Sequence, residues 1–310
     1  MRYGITTISM LFSGFIRIDE VEYVRVKTAR QNLFDILFVE EKFDLVAENF
    51  YEYETELLAI ASRMMIFSND DHISKSRERN LISRRILNLL SAGRMYIDQS
   101  IQHIEKIYGK NSSNVDLIKK EISSQYDKSL GYRAMEALRN YVQHRGFPIQ
   151  NIKFSRKRVD VDSDFQLLHK VIPLIGVFEL EEDGNFKKSI LKELQEIRRS
   201  GGVDVRPLLR DYAEGICNIH EAIRKATRAD LPSWEKTLYD TIEKFQNEYG
   251  KDVPLAGLVI EAAEDGNWHS EIKNISKVSI ERRLVLEKKN GQFVNLHKRY
   301  ASNEIRKDDA

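Results

Sequence analysis

Cysteine and long apolar runs are almost absent from this sequence, and both absences exclude classes of protein. Cys217 is the single cysteine among 310 residues, so the chain has no disulfide framework and no site built from several cysteines. We therefore expect a reducing compartment, the cytoplasm. The apolar stretch 5–16 contains Thr, Ser and Gly and is shorter than the ~20 apolar residues that a membrane helix needs. Since no small-x-small cleavage pattern follows it, we expect a buried first element and no membrane association.

A large net charge is also lacking. The 49 Lys and Arg residues nearly balance the 48 Asp and Glu residues, which leaves a formal net charge of +1. A chain whose whole surface attracts nucleic acid or anionic lipid would carry a much larger positive charge. Any basic binding surface must therefore be local. The length allows about two domains.

The first half of the chain has the pattern of long helices. Proline occurs only five times in the chain, and apolar residues of the first half recur at spacings of three and four. This spacing predicts four helices, at 19–67, 74–108, 115–126 and 132–145. Gly146 and Pro148 are typical of the end of the fourth. Residues 1–150 are therefore predicted to form an antiparallel helix bundle.

The second half is more mixed. A semi-alternating stretch at 153–161 and an apolar run at 167–180 indicate strands. The spacing of apolar residues predicts four further helices, at about 187–199, 205–227, 232–249 and 253–264. Asn290-Gly291, between alternating residues, predicts a terminal β-hairpin over 278–296. Residues 151–310 are thus predicted to form an α+β domain, and the chain as a whole to be mainly α.

The common catalytic motifs are absent, including phosphate-binding glycine loops, the nucleophile elbow and the zinc-protease helix. Four histidines, His169, His220, His269 and His297, have no partner at the spacing that metal ligands require. We therefore predict neither a metal nor another cofactor.

One short stretch of the fourth helix carries groups that suit phosphoryl transfer. Asn140 and His144, four residues apart, share one helix face, and Arg139 lies about 140° from His144. Only the long arginine side chain could bring the guanidinium near the imidazole. Arg can clamp a phosphate through two hydrogen bonds, and His can move a proton near neutral pH.

These three residues resemble the R-x4–6-H motif of the HEPN superfamily, the helical domains named for higher eukaryotes and prokaryotes nucleotide-binding. Its ribonuclease members commonly have a polar residue, often Asn, directly after the Arg. The Arg–His spacing alone would arise about 1.7 times by chance in this composition, but Asn at this spacing lowers the expectation to about 0.03. The motif also lies on the last helix of the predicted bundle, as it does in the family. The resemblance covers only the N-terminal half.

The resemblance implies a metal-independent endoribonuclease, often the toxin or effector of a defence or stress system. Arg139 would hold the scissile phosphate, His144 would act as general acid or base at the 2′-hydroxyl and leaving group, and Asn140 would orient them. Cleavage would leave a 2′,3′-cyclic phosphate without any cofactor. The implied partners are RNA (tRNA or mRNA), a second copy of the chain bound through the helical bundle, and an antitoxin or defence-system protein.

Two further groups of residues could assist this site. Tyr96 and Asp98 would do so if the second long helix faces the fourth. RNA also needs a positive path, because phosphate contacts dominate its affinity. The candidate cations are Arg145, Lys153, Arg156, Lys157 and Arg158. Phe147 and Phe154 are the nearby rings for base stacking.

The residues leave other interpretations open. Arg139 could instead pair with Glu136 or Gln143 on the helix surface, and the basic run could protect a strand edge. The protein would then be a non-catalytic HEPN-like scaffold that dimerises, or a nucleotide-binding module. The main activity could also lie in residues 151–310.

Overall fold

The structure is a computed structural model, and it describes residues 2–7, 14–67, 72–161, 164–253, 255, 257–264, 267–291 and 295–301. Over these residues the chain is mainly α, as the sequence predicts. Its α-helices are α1 (Glu20–Ile66), α2 (His72–Tyr108), α3 (Ser113–Lys128), α4 (Leu130–His144), α5 (Val177–Asp183), α6 (Lys188–Ile197), α7 (Val205–Thr227), α8 (Leu231–Tyr249) and α9 (Val278–Lys289). None of these described helices has the combination of length and apolar character that a membrane span requires.

The four predicted helices of the first half are confirmed. Gly109, with φ +86°, follows the last residue of α2, in a conformation that glycine adopts without strain. The hydroxyl of Ser129 accepts a hydrogen bond of 3.1 Å from the backbone N–H of Tyr132 and so caps the start of α4. At the other end of α4, the N–H of Arg145 donates to the carbonyl of Tyr141 at 2.9 Å. Local signals therefore fix both ends of the helix that carries the candidate site.

The strands form two antiparallel sheets. The first sheet has the order β2-β1-β6-β7, and the second has the order β3-β4-β5. The strands are β1 (Arg2–Thr6), β2 (Phe15–Ile18), β3 (Asn151–Val161), β4 (Asp164–Ile175), β5 (Val203–Asp204), β6 (Gly257–Glu264) and β7 (Asn267–Asn274). β4 meets β5 only at Leu174 and Ile175. The rest of β3 and β4 is a two-stranded ribbon.

The helix predicted over 253–264 is wrong, because residues 257–264 form β6. β6 pairs on one side with β1, where Ile5 lies opposite Leu258, and on the other side with β7. Gly257 has φ +153°, and a Cβ there would lie 2.0 Å from the carbonyl oxygen of Lys273. Pairing with β1 and β7 on its two sides therefore overrides the local helical preference of this segment.

The predicted terminal hairpin over 278–296 is also wrong, because residues 278–289 form α9. Ile280, Arg283 and Leu286 are buried at spacings of three residues, which is a helical face and not a strand face. The N–H of Asn290 donates to the carbonyl of Leu286 at 2.9 Å. The Asn-Gly pair thus lies at a helix end.

The chain divides into two compact units, each assembled from several segments. Unit 1 contains 1–41, 99–117 and 223–291, and unit 2 contains 42–98, 118–222 and 292–310. Unit 1 has a core in which Val26, Leu33, Phe245 and Leu258 are buried. Both units draw residues from both sides of the predicted domain boundary at 150, so an independently folding domain 1–150 stays a prediction.

Candidate functional site

The candidate site lies in unit 2, on the last two turns of α4. Met135 and Leu138 of this helix are buried, and Val142 is partly exposed. The apolar stripe therefore anchors the middle of α4, while its C-terminal turn rises toward solvent. The side chains of Gln143 and His144 on the last turn are accordingly exposed to solvent.

The structure brings Arg139 and Asn140 into direct contact. Nη1 of Arg139 donates a hydrogen bond of 3.0 Å to Oδ1 of Asn140. Nε of Arg139 is buried and has no hydrogen-bond partner among the described residues. His144 is exposed on the following turn, and within the described chain it makes no hydrogen bond. Asn140 and His144 thus face solvent together, and the guanidinium retains donors that Asn140 does not use.

A partly buried carboxylate, that of Glu136, lies one turn before Arg139. Glu136 forms an ion pair with Arg94 of α2, with Nη1 and Oε2 3.5 Å apart, and its Oε1 accepts a hydrogen bond of 3.4 Å from the hydroxyl of Tyr212 on α7. Burial raises the pKa of Glu136, and Arg94, Tyr212 and Arg139 partly oppose that increase. Arg139 therefore lies in the field of a carboxylate that three different helices surround.

Sequence reasoning did not find Tyr212 because nothing near α4 in the sequence points to it. One signal is present in α2, where Gly93 lies within the helix. A Cβ at Gly93 would lie 2.3 Å from the hydroxyl oxygen of Tyr212. The missing side chain therefore allows Tyr212 to approach α2 and reach Glu136. Burial and the neighbouring Glu136 raise the pKa of Tyr212 well above its ordinary value.

The two residues predicted to assist from α2 have different surroundings. Asp98 accepts hydrogen bonds from Arg94, at 2.9 Å from its Nε, and so joins the group of charges around Glu136. Tyr96 is buried, and its hydroxyl is hydrogen-bonded to Nδ1 of His220 at 2.8 Å. The imidazole of His220 stacks on Phe43 with 3.9 Å between ring centres. Asp98 is therefore connected to α4 through Arg94, whereas Tyr96 is part of the aromatic core.

The predicted RNA-binding cations are exposed, but they are divided between surfaces. Lys153, Arg156, Lys157 and Arg158 all lie on β3, the edge strand of its sheet. Because side chains alternate along a strand, Arg156 and Arg158 share one face of the ribbon, and the two lysines share the other. Arg145 is exposed just after α4. The five cations therefore do not form one continuous patch.

Over the described residues, no group of three or more His, Cys, Asp or Glu side chains could hold a metal ion. The comparisons with known proteins add no assignment. No protein-family model, curated protein or solved structure matches this chain. The geometry of the site is therefore the basis for its functional interpretation.

Proposed function

We propose that this protein is a metal-independent endoribonuclease of HEPN type that acts as a homodimer. The observation that carries the proposal is the solvent-facing set of Asn140 and His144 at the end of α4, with Arg139 hydrogen-bonded to Asn140. Arginine can bind and stabilise phosphoryl oxygens and imidazole can transfer a proton, so this set suits phosphoryl transfer without a metal. The proposed biological role is that of a cytoplasmic toxin or effector in a defence or stress system, held in check by an antitoxin or partner protein.

The proposed reaction uses the RNA's own 2′-hydroxyl. Its oxygen forms a bond to the phosphorus atom while the bond from phosphorus to the 5′-oxygen breaks, which leaves a 2′,3′-cyclic phosphate. A base takes the 2′-hydroxyl proton, and an acid gives a proton to the departing 5′-oxygen. The guanidinium of Arg139 would stabilise the negative charge on the phosphoryl oxygens. Asn140 would hold the guanidinium in position.

Dimerisation supplies what a single chain lacks. The reaction needs a base and an acid at the same time, and each chain brings one His144 to this turn. A symmetric dimer would place two copies of the motif across one cleft, so that one imidazole accepts a proton while the other donates one.

A second candidate is a non-catalytic dimerisation or scaffold module of HEPN type, or one that binds a nucleotide. One observation favours it. Apolar side chains are exposed at the end of α1 and the start of α2, where Met65, Ile66, Phe67 and Ile73 are each more than half exposed. Such a cluster is typical of a protein contact.

The test is incubation of the purified protein with tRNA and with a structured single-stranded RNA in the presence of EDTA. The wild type should cut and leave cyclic-phosphate ends, whereas His144→Ala and Arg139→Ala should not. Gln143→Ala is the matched control, because Gln143 is an exposed residue of the same helical turn outside the proposed machinery. Equal cleavage by wild type and His144→Ala would exclude this site, and the absence of cleavage by wild type would favour the scaffold.

A further inference from the structure

A groove of about 140 Å³ opens in unit 2 where the end of α1 and the start of α2 meet β3. Its apolar lining comes from Ile60, Met64 and Phe67 of the α1 end and from Phe154 of β3. Phe67 is 56% exposed, so one aromatic ring stands at the opening. The groove therefore offers planar apolar surfaces to a ligand that comes from solvent.

The charged lining of the groove is predominantly positive. Among the residues that the structure describes, it includes Arg63, Lys75 and Arg77 and a single carboxylate, Glu78. Arg63 is paired with Glu78 at 3.0 Å and with Glu56 at 3.4 Å. Arg77 is exposed, and over the described residues it has no ion-pair partner. An anion is thus the ligand charge that this lining complements.

Arg79 connects the start of α2 with the segment that follows α4. Arg79, the residue after Glu78, donates from Nη1 to the carbonyl of Gln150 at 3.4 Å. Its guanidinium also lies over the ring of Phe147, 5.9 Å from the ring centre. Phe147 is 55% exposed and follows His144 by three residues. A ring and a cation are therefore in contact just after α4, and the cation is next in sequence to Glu78 of the groove.

We propose that the groove holds a base of single-stranded RNA and that Arg79 and Phe147 guide the strand from there to His144. The inference rests on the proposed ribonuclease function and gives it a substrate class, unpaired RNA. Stacking on Phe154 and Phe67 is tolerant of base identity because every base has an aromatic face. Arg77 contacts a phosphate, which adds affinity without sequence selection. The enzyme accordingly selects unpaired segments and not a particular sequence.

The experiment measures RNA binding in a protein that does not cleave. A 5′-labelled single-stranded RNA of about 12 nucleotides, within the range of sites that such proteins cover, is titrated with His144→Ala protein and followed by fluorescence anisotropy at several salt concentrations. Phe154→Leu in this background should weaken binding by about ten-fold through loss of stacking. Arg77→Ala should lower the slope of log affinity against log salt by about 0.7, the value for one phosphate on a single strand.

Lys120→Ala is the matched control, because Lys120 is an exposed cation on α3 that does not line the groove. It should bind RNA like the parent protein. Within the described ranges Arg77 forms no ion pair that its replacement would break, so Arg77→Ala keeps the proposal testable if Phe154→Leu fails to fold. A duplex of the same sequence should bind more weakly than the single strand.

The outcomes separate the groove from the catalytic proposal. If Phe154→Leu and Arg77→Ala both bind RNA with unchanged affinity, the groove is not the RNA-binding site. The ribonuclease proposal would still stand if the wild type cleaves RNA. Weakened binding together with an inactive wild type would support the groove and contradict the ribonuclease. Unchanged RNA affinity accompanied by loss of the dimer in sedimentation would identify the groove as a protein contact and overturn the inference.

Discussion

His103 in unit 1 and His144 in unit 2 have opposite surroundings. Nδ1 of His103 donates to Oδ1 of Asp35 at 2.5 Å, and Asp35 is only 2% exposed. Nε2 of Gln31 donates to the other carboxylate oxygen at 3.0 Å. His144 is exposed at a helix end. The first histidine is fixed by a buried carboxylate, whereas the second has its ring nitrogens available for a substrate.

This difference separates residues that hold the fold from residues that are free to do chemistry. Removing one member of a buried ion pair or hydrogen-bonded pair costs much stability, because the polar group of the other member is then buried without a partner. An exposed side chain without partners contributes little to stability. Substitution should therefore affect stability at one histidine and activity at the other.

The largest expected effect is loss of cleavage in His144→Ala. The rate of RNA cleavage should fall by about 10²–10⁴-fold, the usual contribution of a general acid or base, while the thermal unfolding midpoint stays the same. His103→Ala should do the reverse, with a lower midpoint and normal activity per folded molecule. Expression of both in bacteria gives a second readout, since only His144→Ala should relieve growth inhibition. A loss of activity in His103→Ala without a loss of stability would contradict the purely structural role assigned to His103.

The second-largest expected effect is a loss of stability in Asp35→Ala. Burial by itself raises the pKa of Asp35, but the hydrogen bonds from His103 and Gln31 outweigh burial, so the pKa lies below its ordinary value of 3.8. The carboxylate therefore stabilises the fold above pH 3.8, and that contribution is lost as the pH falls through the folded pKa. Asp35→Ala should lower the free energy of unfolding by roughly 2–4 kcal/mol at neutral pH, measured by urea denaturation.

Asp252→Ala is the control for Asp35, because Asp252 is an exposed aspartate of the same unit. It should stay within about 0.5 kcal/mol of wild type. Equal stability of the two variants would mean that the buried pair does not hold unit 1 together.

The smallest effect is a change in pH dependence at Glu136. Because burial raises its pKa above the ordinary 4.5, the unfolded chain ionises at a lower pH than the folded chain. The free energy of unfolding should therefore decrease as the pH rises from 4.5 toward the folded pKa. Glu136→Gln removes this titration and should flatten the dependence of the free energy of unfolding on pH over this range. The exposed Glu196→Gln should leave the curve unchanged, and a curve of wild-type shape in Glu136→Gln would contradict the assignment.

The sequence predicts the helices well because their signals are local. Regular apolar spacing, Ser129 before α4 and Gly109 after α2 all act within a few residues. β6 has one partner, β1, at the other end of the sequence, but its second partner, β7, follows it directly, so only part of its pairing is non-local. The same limit applies at the candidate site. Arg139, Asn140 and His144 could be found because one helix carries them.

Long-range packing decides the rest of the site. Tyr212 reaches Glu136 from α7, a contact that no local pattern in α4 contains. Tyr96 and Asp98 are two residues apart on α2 and therefore point in directions about 200° apart. Tyr96 lies in the core, and Asp98 is hydrogen-bonded to Arg94. Which of them would face α4 depended on the rotation of α2, and residue spacing does not specify that rotation.

The sheet order β2-β1-β6-β7 has a consequence for the timing of folding. β1 lies between β2 and β6, so it completes its hydrogen bonds only after residues 257–261 exist. The ribosome adds about 5–20 residues per second, so roughly 10 to 50 seconds separate the synthesis of these two strands. The sheet of unit 1 therefore cannot be completed until the ribosome has synthesised residue 261. During this interval β1 has an unpaired edge, which is a natural place for a chaperone or another protein to bind the nascent chain.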